Sequence, residues 1–256
     1  MESIDELPDE LLVKILASLP MFKETVATTL ISKRWRDLWK LVPDLKFDDT
    51  TFESTGETFI SFVHTSLVLE NQTLERLHLK LSRNYLASII WFKQPLIDLT
   101  LETLILWEAS IEAVHQSFCL PSLKTLHFLS VEFSGDQSVA SLLQICPVLE
   151  DLVVHQTKVF NQNVLTLSAY GTLKTLILSE LCIEVVPRRF CLPSLKTLHL
   201  LSVKFSADIH VASLLEICPV LEDLVVHQTK IFNVEVLKLS TWVTLKSLKL
   251  CDLRME

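Results

Sequence analysis

The feature that most constrains this chain is an internal duplication. Residues 119–178 align without gaps onto residues 191–250 at a constant offset of 72, and 45 of the 60 aligned positions are identical. The longest shared run, Ile-Cys-Pro-Val-Leu-Glu-Asp-Leu-Val-Val-His-Gln-Thr-Lys, starts at Ile145 and again at Ile217. A finer period lies inside it. The pattern L-x-x-L-x-L, with Val replacing the last Leu in some copies, begins at Leu74, Leu101, Leu123, Leu149, Leu173, Leu195, Leu221 and Leu245. The successive spacings are 27, 22, 26, 24, 22, 26 and 24, so one 72-residue unit holds three short repeats. A unit this small cannot bury its own apolar face, and repeated units become stable by covering one another.

Composition removes the competing explanations for so much leucine. Fifty of the 256 residues are Leu and only three are Gly. Gly56, Gly135 and Gly171 are far apart, so no glycine-rich phosphate loop or dinucleotide fingerprint can be built. The apolar runs are short: residues 86–92 form one of the longest and Lys93 stops it, whereas a spanning helix needs roughly 20 apolar residues. The start, Met-Glu-Ser-Ile-Asp-Glu, is acidic where a secretory signal would be basic. The six cysteines form no C-x-x-C pair and are expected to be reduced thiols of the cytoplasm or nucleus. Without secretion the sequon Asn71-Gln72-Thr73 would be inert. A net charge of −8 argues against nucleic acid as a partner, since phosphate contacts need clustered Lys and Arg. No membrane partner and no cofactor is expected.

With its period and its Leu spacing, the stretch from about residue 70 to residue 256 resembles the leucine-rich repeat family. In each copy the fourth and sixth positions, such as Leu104 and Leu106, have the alternation of a short strand. A further apolar residue often follows at position eleven: Ile111, Phe133, Val159, Ile183, Phe205 and Ile231. Residues 139–145 and 211–217 suit helices on the outer side, stopped by Pro147 and Pro219. Position nine is Ser82, Ala109, Val131, Thr157, Leu181, Val203 or Thr229, never Asn, which is closer to intracellular subtypes than to secreted ones. The fold class expected is α/β, with a small helical unit followed by an irregular solenoid whose parallel sheet lines the concave side. Cys119, Cys146, Cys191 and Cys218 repeat at the 72-residue offset and are expected to pack inward as small apolar residues.

Residues 1–48 do not follow the repeat. Leu7-Pro8-Asp9-Glu10 opens a helix, with Pro at the first helical position and two carboxylates at the positive end of the dipole. Leu11, Leu12, Ile15, Leu16 and Leu19 form one apolar stripe and Pro20 ends the helix. A second helix is expected over about 23–31. Ser32 can cap a third, placing Trp35, Leu38 and Trp39 on one face. The ordered elements Leu-Pro, Ile-Leu, Leu-Pro, Ser-Lys-Arg-Trp and Leu-Trp over residues 3–43 closely resemble an F-box, and Leu-Val-Pro-Asp-Leu-Lys-Phe-Asp-Asp looks like the plant F-box proteins that carry leucine-rich repeats. The organisation expected is an F-box at 1–48, a linker with a helix at 49–73, and about eight repeats over 74–256.

The resemblance implies a non-catalytic subunit of an SCF (Skp–cullin–F-box) ubiquitin ligase. The F-box would dock on a Skp-type adaptor, and through it on cullin, while the repeats bind an unknown target protein. The adaptor-binding set is then drawn from Leu7, Pro8, Leu11, Leu12, Ile15, Leu16, Leu19, Pro20, Trp35, Leu38 and Trp39, which divide between internal core and interface. The candidate target-binding set comes from side chains expected to point outward on the strands: Arg76, His78, Ile105, Trp107, His127, Asp151, His155, His199, Asp223 and His227. The recurring histidines have no compact metal-ligand spacing, and a nucleophilic Cys–His pair would need one special Cys rather than copies. The pair Arg188-Arg189 and the scattered Lys read as a solvated face. A scaffold, or a truncated competitor that occupies the adaptor without delivering a target, is the alternative. Many members of the plant group carry a further FBD domain after the repeats. Here Glu256 follows the strand pattern at 245–250 closely, as in a short or truncated member.

Overall fold

The computed structural model describes residues 4–51, 56–69, 74–81, 100–111, 119–133, 142–156, 171–183, 191–205, 216–227 and 244–251. A nine-stranded parallel sheet runs through them. Its strands are β1 (Asp44–Asp48), β2 (Arg76–Lys80), β3 (Thr103–Trp107), β5 (Thr125–Leu129), β7 (Asp151–His155), β8 (Thr175–Ser179), β10 (Thr197–Leu201), β12 (Asp223–His227) and β13 (Ser247–Cys251), stacked in sequence order. Between them lie two-residue strands on the return path: β4 (Ser110–Ile111) pairs with β6 (Glu132–Phe133), and β9 (Cys182–Ile183) pairs with β11 (Lys204–Phe205).

The alternation in the sequence is the alternation in space. From β3 to β12 the second and fourth residues of each long strand are buried, and the first, third and fifth are half-buried or exposed. The register aligns Leu77, Leu104, Leu126, Leu152, Leu176, Leu198 and Leu224 into one inner row. Ile111, Phe133, Ile183 and Phe205 close the core from the opposite wall. Position nine is not an Asn ladder: Ala109, Val131, Leu181 and Val203 sit there, all buried, and add apolar area. The last strand is less covered, and Leu250 is 38% exposed.

The turns after the strands explain how so few glycines suffice. Glu108, Ser130, Gln156, Glu180 and Ser202 follow β3, β5, β7, β8 and β10 with φ between 47° and 56°, the left-handed region. A non-Gly residue there costs roughly 1–2 kcal/mol. Each of these residues donates its backbone N–H to the last carbonyl of the next strand, for example Glu108 N–H to the Leu129 oxygen at 2.8 Å. The cost is met by a lateral bond that recurs with the repeat.

The N-terminal unit departs from expectation in its helices. Helix α1 (Asp9–Ala17) begins after Pro8, which occupies the N-cap; the Pro8 carbonyl accepts from Leu11 and Leu12 N–H. It ends ahead of Pro20, where the Ser18 hydroxyl donates to the Ile15 carbonyl. Instead of one helix over 23–31 there is a short α2 (Phe22–Ala27) running into a 3-10 turn (Thr28–Leu30). The expected third helix is two 3-10 turns, Arg34–Arg36 and Leu38–Leu41, broken at Asp37 with φ −114°. Ser32 caps neither. Its hydroxyl reaches Asp5 Oδ1, which also accepts from Trp35 Nε1 at 2.6 Å. Arg34 adds bonds to Asp9 and to the Asp5 and Leu7 carbonyls, so a side-chain clamp replaces helix capping.

The sheet starts with β1, whose Asp44 pairs in register with Arg76 of β2, and so it begins inside the segment expected to be the F-box alone. Helix α3 (Gly56–Leu69) buries Phe59, Val63 and Leu67, at i, i+4 and i+8. Phe22 stands 4.8 Å from Phe47 of β1, 5.5 Å from Trp39 and 5.8 Å from Phe62 of α3, centroid to centroid. The helical unit and the solenoid thus share one continuous core. Among the described residues no helix is long and apolar enough to cross a membrane.

Two cysteine expectations separate. Cys146 and Cys218 are buried, and burial pushes both thiols up to about 12. Cys119 and Cys191, expected to pack inward, are exposed, as are Cys182 and Cys251. The reason is placement: Cys119 and Cys191 lie just before buried Leu120 and Leu192. A thiol assay on the native chain should titrate four groups rapidly and the other two only after unfolding. Six fast thiols would contradict this packing. Several expected features fall outside the described residues: Ser82, Thr157, Val159, Thr229, Ile231, the run 86–92, the sequon at 71–73, the pair Arg188-Arg189, and residues 139–141 and 211–215 of the two expected outer helices, of whose described residues 142–144 and 216 are helical.

Candidate functional site

Two surfaces stand out. The first is on the N-terminal unit. Of the large apolar side chains that are exposed among the described residues, six fall between Ile4 and Leu41: Ile4, Leu11, Ile15, Leu30, Ile31 and Leu41. Only Trp107, Val148 and Leu250 represent the rest. The stripe expected on α1 splits in two. Leu12 and Leu16 are buried and Leu19 packs partly against the core, whereas Leu11 and Ile15 are 45% and 38% exposed. Trp35, Leu38 and Trp39 are core residues, as are Leu12 and Leu16. Leu7 is half-buried against the core, and Pro8 and Pro20 are exposed. The sequence reading missed Leu30, 88% exposed, and Ile31, 54% exposed, because it placed them at the end of a helix rather than on a turn.

The second surface is the open face of the sheet. The residues expected there, Arg76, His78, Ile105, Trp107, His127, Asp151, His155, His199, Asp223 and His227, all occupy its outward positions. The structure adds Asp44, Lys46 and Asp48 from β1, and Thr175, Ile177 and Ser179 from β8. The first positions are Thr103, Thr125, Thr175 and Thr197, with Asp44, Arg76, Asp151, Asp223 and Ser247 at the others. The middle positions from β3 to β12 are Ile105, His127, Val153, Ile177, His199 and Val225. The last positions are Trp107, Leu129, His155, Ser179, Leu201 and His227.

Charge gathers at the ends of this face. Asp44 lies 3.4 Å from Arg76 Nε, 3.7 Å from Lys46 Nζ and 3.5 Å from His78 Nε2. Its Oδ1 is buried and accepts no hydrogen bond from the described residues. Lys80 Nζ lies 3.5 Å from Asp48 and 4.7 Å from the Trp107 ring centroid, a cation–π contact that covers part of that ring. Further along, His199 Nε2 is 2.8 Å from Asp223 Oδ2. The His199 and Ser247 hydrogen bonds hold the Asp223 carboxyl below the usual range. Burial lowers the pKa of both His78 and His127, outweighing the nearby Asp44 and Asp151.

The lysines have a different role. Glu102 and Lys124, Glu150 and Lys174, and Glu222 with both Lys196 and Lys246 pair along one rim at 2.6 to 3.4 Å. They are the residues just before each strand. Hydrogen bonds to Lys196 and Lys246 lower the Glu222 pKa, and the bond to Glu102 raises that of Lys124. Exposed pairs of this kind contribute little to stability, because water and salt screen them. Among the described residues no three His, Cys, Asp or Glu side chains converge as metal ligands would.

Comparison with known proteins agrees with both parts. An F-box domain profile matches residues 4–47, and a leucine-rich repeat profile matches residues 122–147 and 194–219, two windows related by the same offset as the duplication. An FBD-associated F-box protein of Arabidopsis thaliana is 50% identical over 182 residues, covering 60% of this chain and 44% of that one. An F-box/FBD/LRR-repeat protein of the same plant is 37% identical over 61% of this chain and 44% of its own length. The chain spans about half the length of such relatives. Among solved structures, an internalin of Listeria monocytogenes aligns with a TM-score of 0.43 and 19% identity, over 72% of this chain and 56% of that one. An F-box/LRR-repeat protein of Arabidopsis thaliana is 32% identical over the whole of this chain and 92% of its own, and the chain belongs to this family of F-box proteins with leucine-rich repeats.

Proposed function

We propose that this chain is the substrate-recognition subunit of an SCF ubiquitin ligase acting in the cytoplasm or nucleus. Its N-terminal unit docks on a Skp-type adaptor and, through it, on cullin, and the open face of its sheet holds a target protein. The chain carries no chemistry of its own. It raises the rate of ubiquitin transfer by keeping the target beside the partner enzyme, a proximity effect.

The observation that carries this reading is the crowding of six exposed apolar side chains into residues 4–41, next to a sheet that buries its own apolar rows almost completely. Exposed apolar groups gathered in one small unit mark an interface. Co-expression with a Skp-type adaptor and cullin should yield a stable ternary complex by size exclusion. A folded chain that elutes alone overturns the proposal. A ternary complex that ubiquitinates no bound target would favour the competitor reading instead.

A further inference from the structure

Four of the six cysteines form two couples that the backbone brings together. The Leu120 N–H donates to the Ile145 carbonyl at 2.7 Å, and the Leu192 N–H donates to the Ile217 carbonyl at 2.8 Å. Cys119 and Cys146 flank the first of these bonds, and Cys191 and Cys218 flank the second. Among the described residues every peptide bond is trans. In a trans peptide the preceding Cα lies on the side of the N–H, and the following Cα lies on the side of the carbonyl oxygen. For a near-linear hydrogen bond, standard backbone dimensions put the first Cα about 3.5 Å from the oxygen and the second about 2.8 Å from it. The two Cα atoms of each couple are therefore within about 6.3 Å of one another. A disulfide spans Cα atoms about 4.4–6.8 Å apart. The sulfurs also sense each other: Cys119 adds to the effect of burial on the Cys146 thiol, and Cys191 does the same for Cys218. In each couple one thiol is exposed and the other buried.

We propose that Cys119 with Cys146, and Cys191 with Cys218, are two reversible redox couples that close to disulfides in the presence of a small-molecule disulfide such as oxidised glutathione. The inference concerns the solenoid itself and does not depend on adaptor docking. The exposed thiol starts the exchange. Cys119 gives its proton to water, and its thiolate attacks one sulfur of the glutathione disulfide; that S–S bond breaks, and one glutathione leaves as a thiolate that takes up a proton. Cys146 then attacks the Cys119 sulfur of the mixed disulfide, and the second glutathione leaves with the Cys146 proton. Two cysteine thiols are oxidised, and one glutathione disulfide is reduced to two glutathione thiols. Burial pushes the Cys146 and Cys218 thiols up to about 12, so neither starts the reaction. On closure Cys146 gives up its hydrogen bond to the Leu142 carbonyl, 3.3 Å away. Each disulfide closes a ring of 28 residues, 119–146 or 191–218, and so limits the freedom of the unfolded chain. Cys182 and Cys251 stand in register with Lys204 and His227 instead, and their exchange stops at the mixed disulfide.

The test incubates the reduced, folded full chain with oxidised glutathione, alkylates it, digests it without reductant and reads the peptides by mass spectrometry. The expected products are cross-linked peptides joining Cys119 to Cys146 and Cys191 to Cys218, with glutathione on Cys182 and Cys251. Cys146→Ala should trap glutathione on Cys119 while the second couple still closes. Cys119→Ser, at an exposed position, should leave Cys146 unmodified, and it serves where the buried substitution unfolds the chain. The urea midpoint of the oxidised wild-type chain should rise, and dithiothreitol should return it to its starting value. Absence of both cross-links, links between cysteines of different couples, or a midpoint that stays or falls overturns the proposal.

Discussion

Phe128→Ala will cost about 3–5 kcal/mol of folding stability, the usual range for emptying a fully buried aromatic site. Phe128 has no exposed surface. It lies in the inner row between Leu106 and Val154, and its ring stands edge-on to Phe133 at 5.3 Å and 89°. A domain stable by about 5–15 kcal/mol loses a large share of its margin. In a stacked solenoid the damage is also local, because each repeat is held by its two neighbours. The duplication supplies the control. The counterpart of Phe128 in the second copy is Leu200, equally buried, so this fold already accommodates leucine at that row. Phe128→Leu should therefore cost only about 1 kcal/mol, the range for near-conservative core exchange. Urea unfolding followed by circular dichroism checks both. Equal losses for Ala and Leu would show that the site does not act as packed volume.

The solenoid was legible because its physics is periodic. Each L-x-x-L-x-L supplies a strand, and the strands around Leu104 and Leu106 and around Leu198 and Leu200 form where the pattern puts them. The first strand was not legible as part of the sheet. Leu45-Lys46-Phe47 has the alternation but not the preceding Leu, and its neighbour in register, Leu77 to Leu79, lies beyond helix α3. That gap is longer than any spacing between the recognised repeats. The helices of the N-terminal unit were misjudged for a related reason. Capping and i, i+4 rules describe an isolated helix, whereas Arg34 and Trp35 reach back along the chain to Asp9 and Asp5. Such long-range clamps override local preference, and nothing in the local pattern announces them.

The surfaces were legible in unequal measure. On a strand the side of each residue follows from parity, so all ten candidates on the open face could be named from spacing alone. Their partners could not: the Lys80–Trp107 and His199–Asp223 contacts depend on register between strands. On α1 the apolar stripe covers more than one face, and only packing separates Leu12 and Leu16 from Leu11 and Ile15. A tryptophan-rich unit also invites the idea that tryptophan anchors the partner. Here Trp35 and Trp39 are spent on the core.

Leu30→Asp combined with Ile31→Asp will abolish co-purification with a Skp-type adaptor while leaving the chain folded. Leu30 is 88% exposed and Ile31 54% exposed, so neither side chain supports the core to any extent, and a carboxylate at either position is solvated in the free protein. In a complex the same carboxylates would be stripped of water against apolar surface. A hot-spot contact at the centre of an interface is worth about 2 kcal/mol or more on truncation. Two such losses correspond to at least a hundredfold weaker binding, since about 1.4 kcal/mol is a factor of ten. Leu11→Asp with Ile15→Asp should act in the same direction. Leu12→Asp and Leu16→Asp should instead unfold the unit, because both side chains are buried. Melting temperature and adaptor pull-down measured on the same preparations separate the two outcomes. Folded Leu30/Ile31 variants that still retain the adaptor at wild-type levels would move the docking surface elsewhere on the molecule.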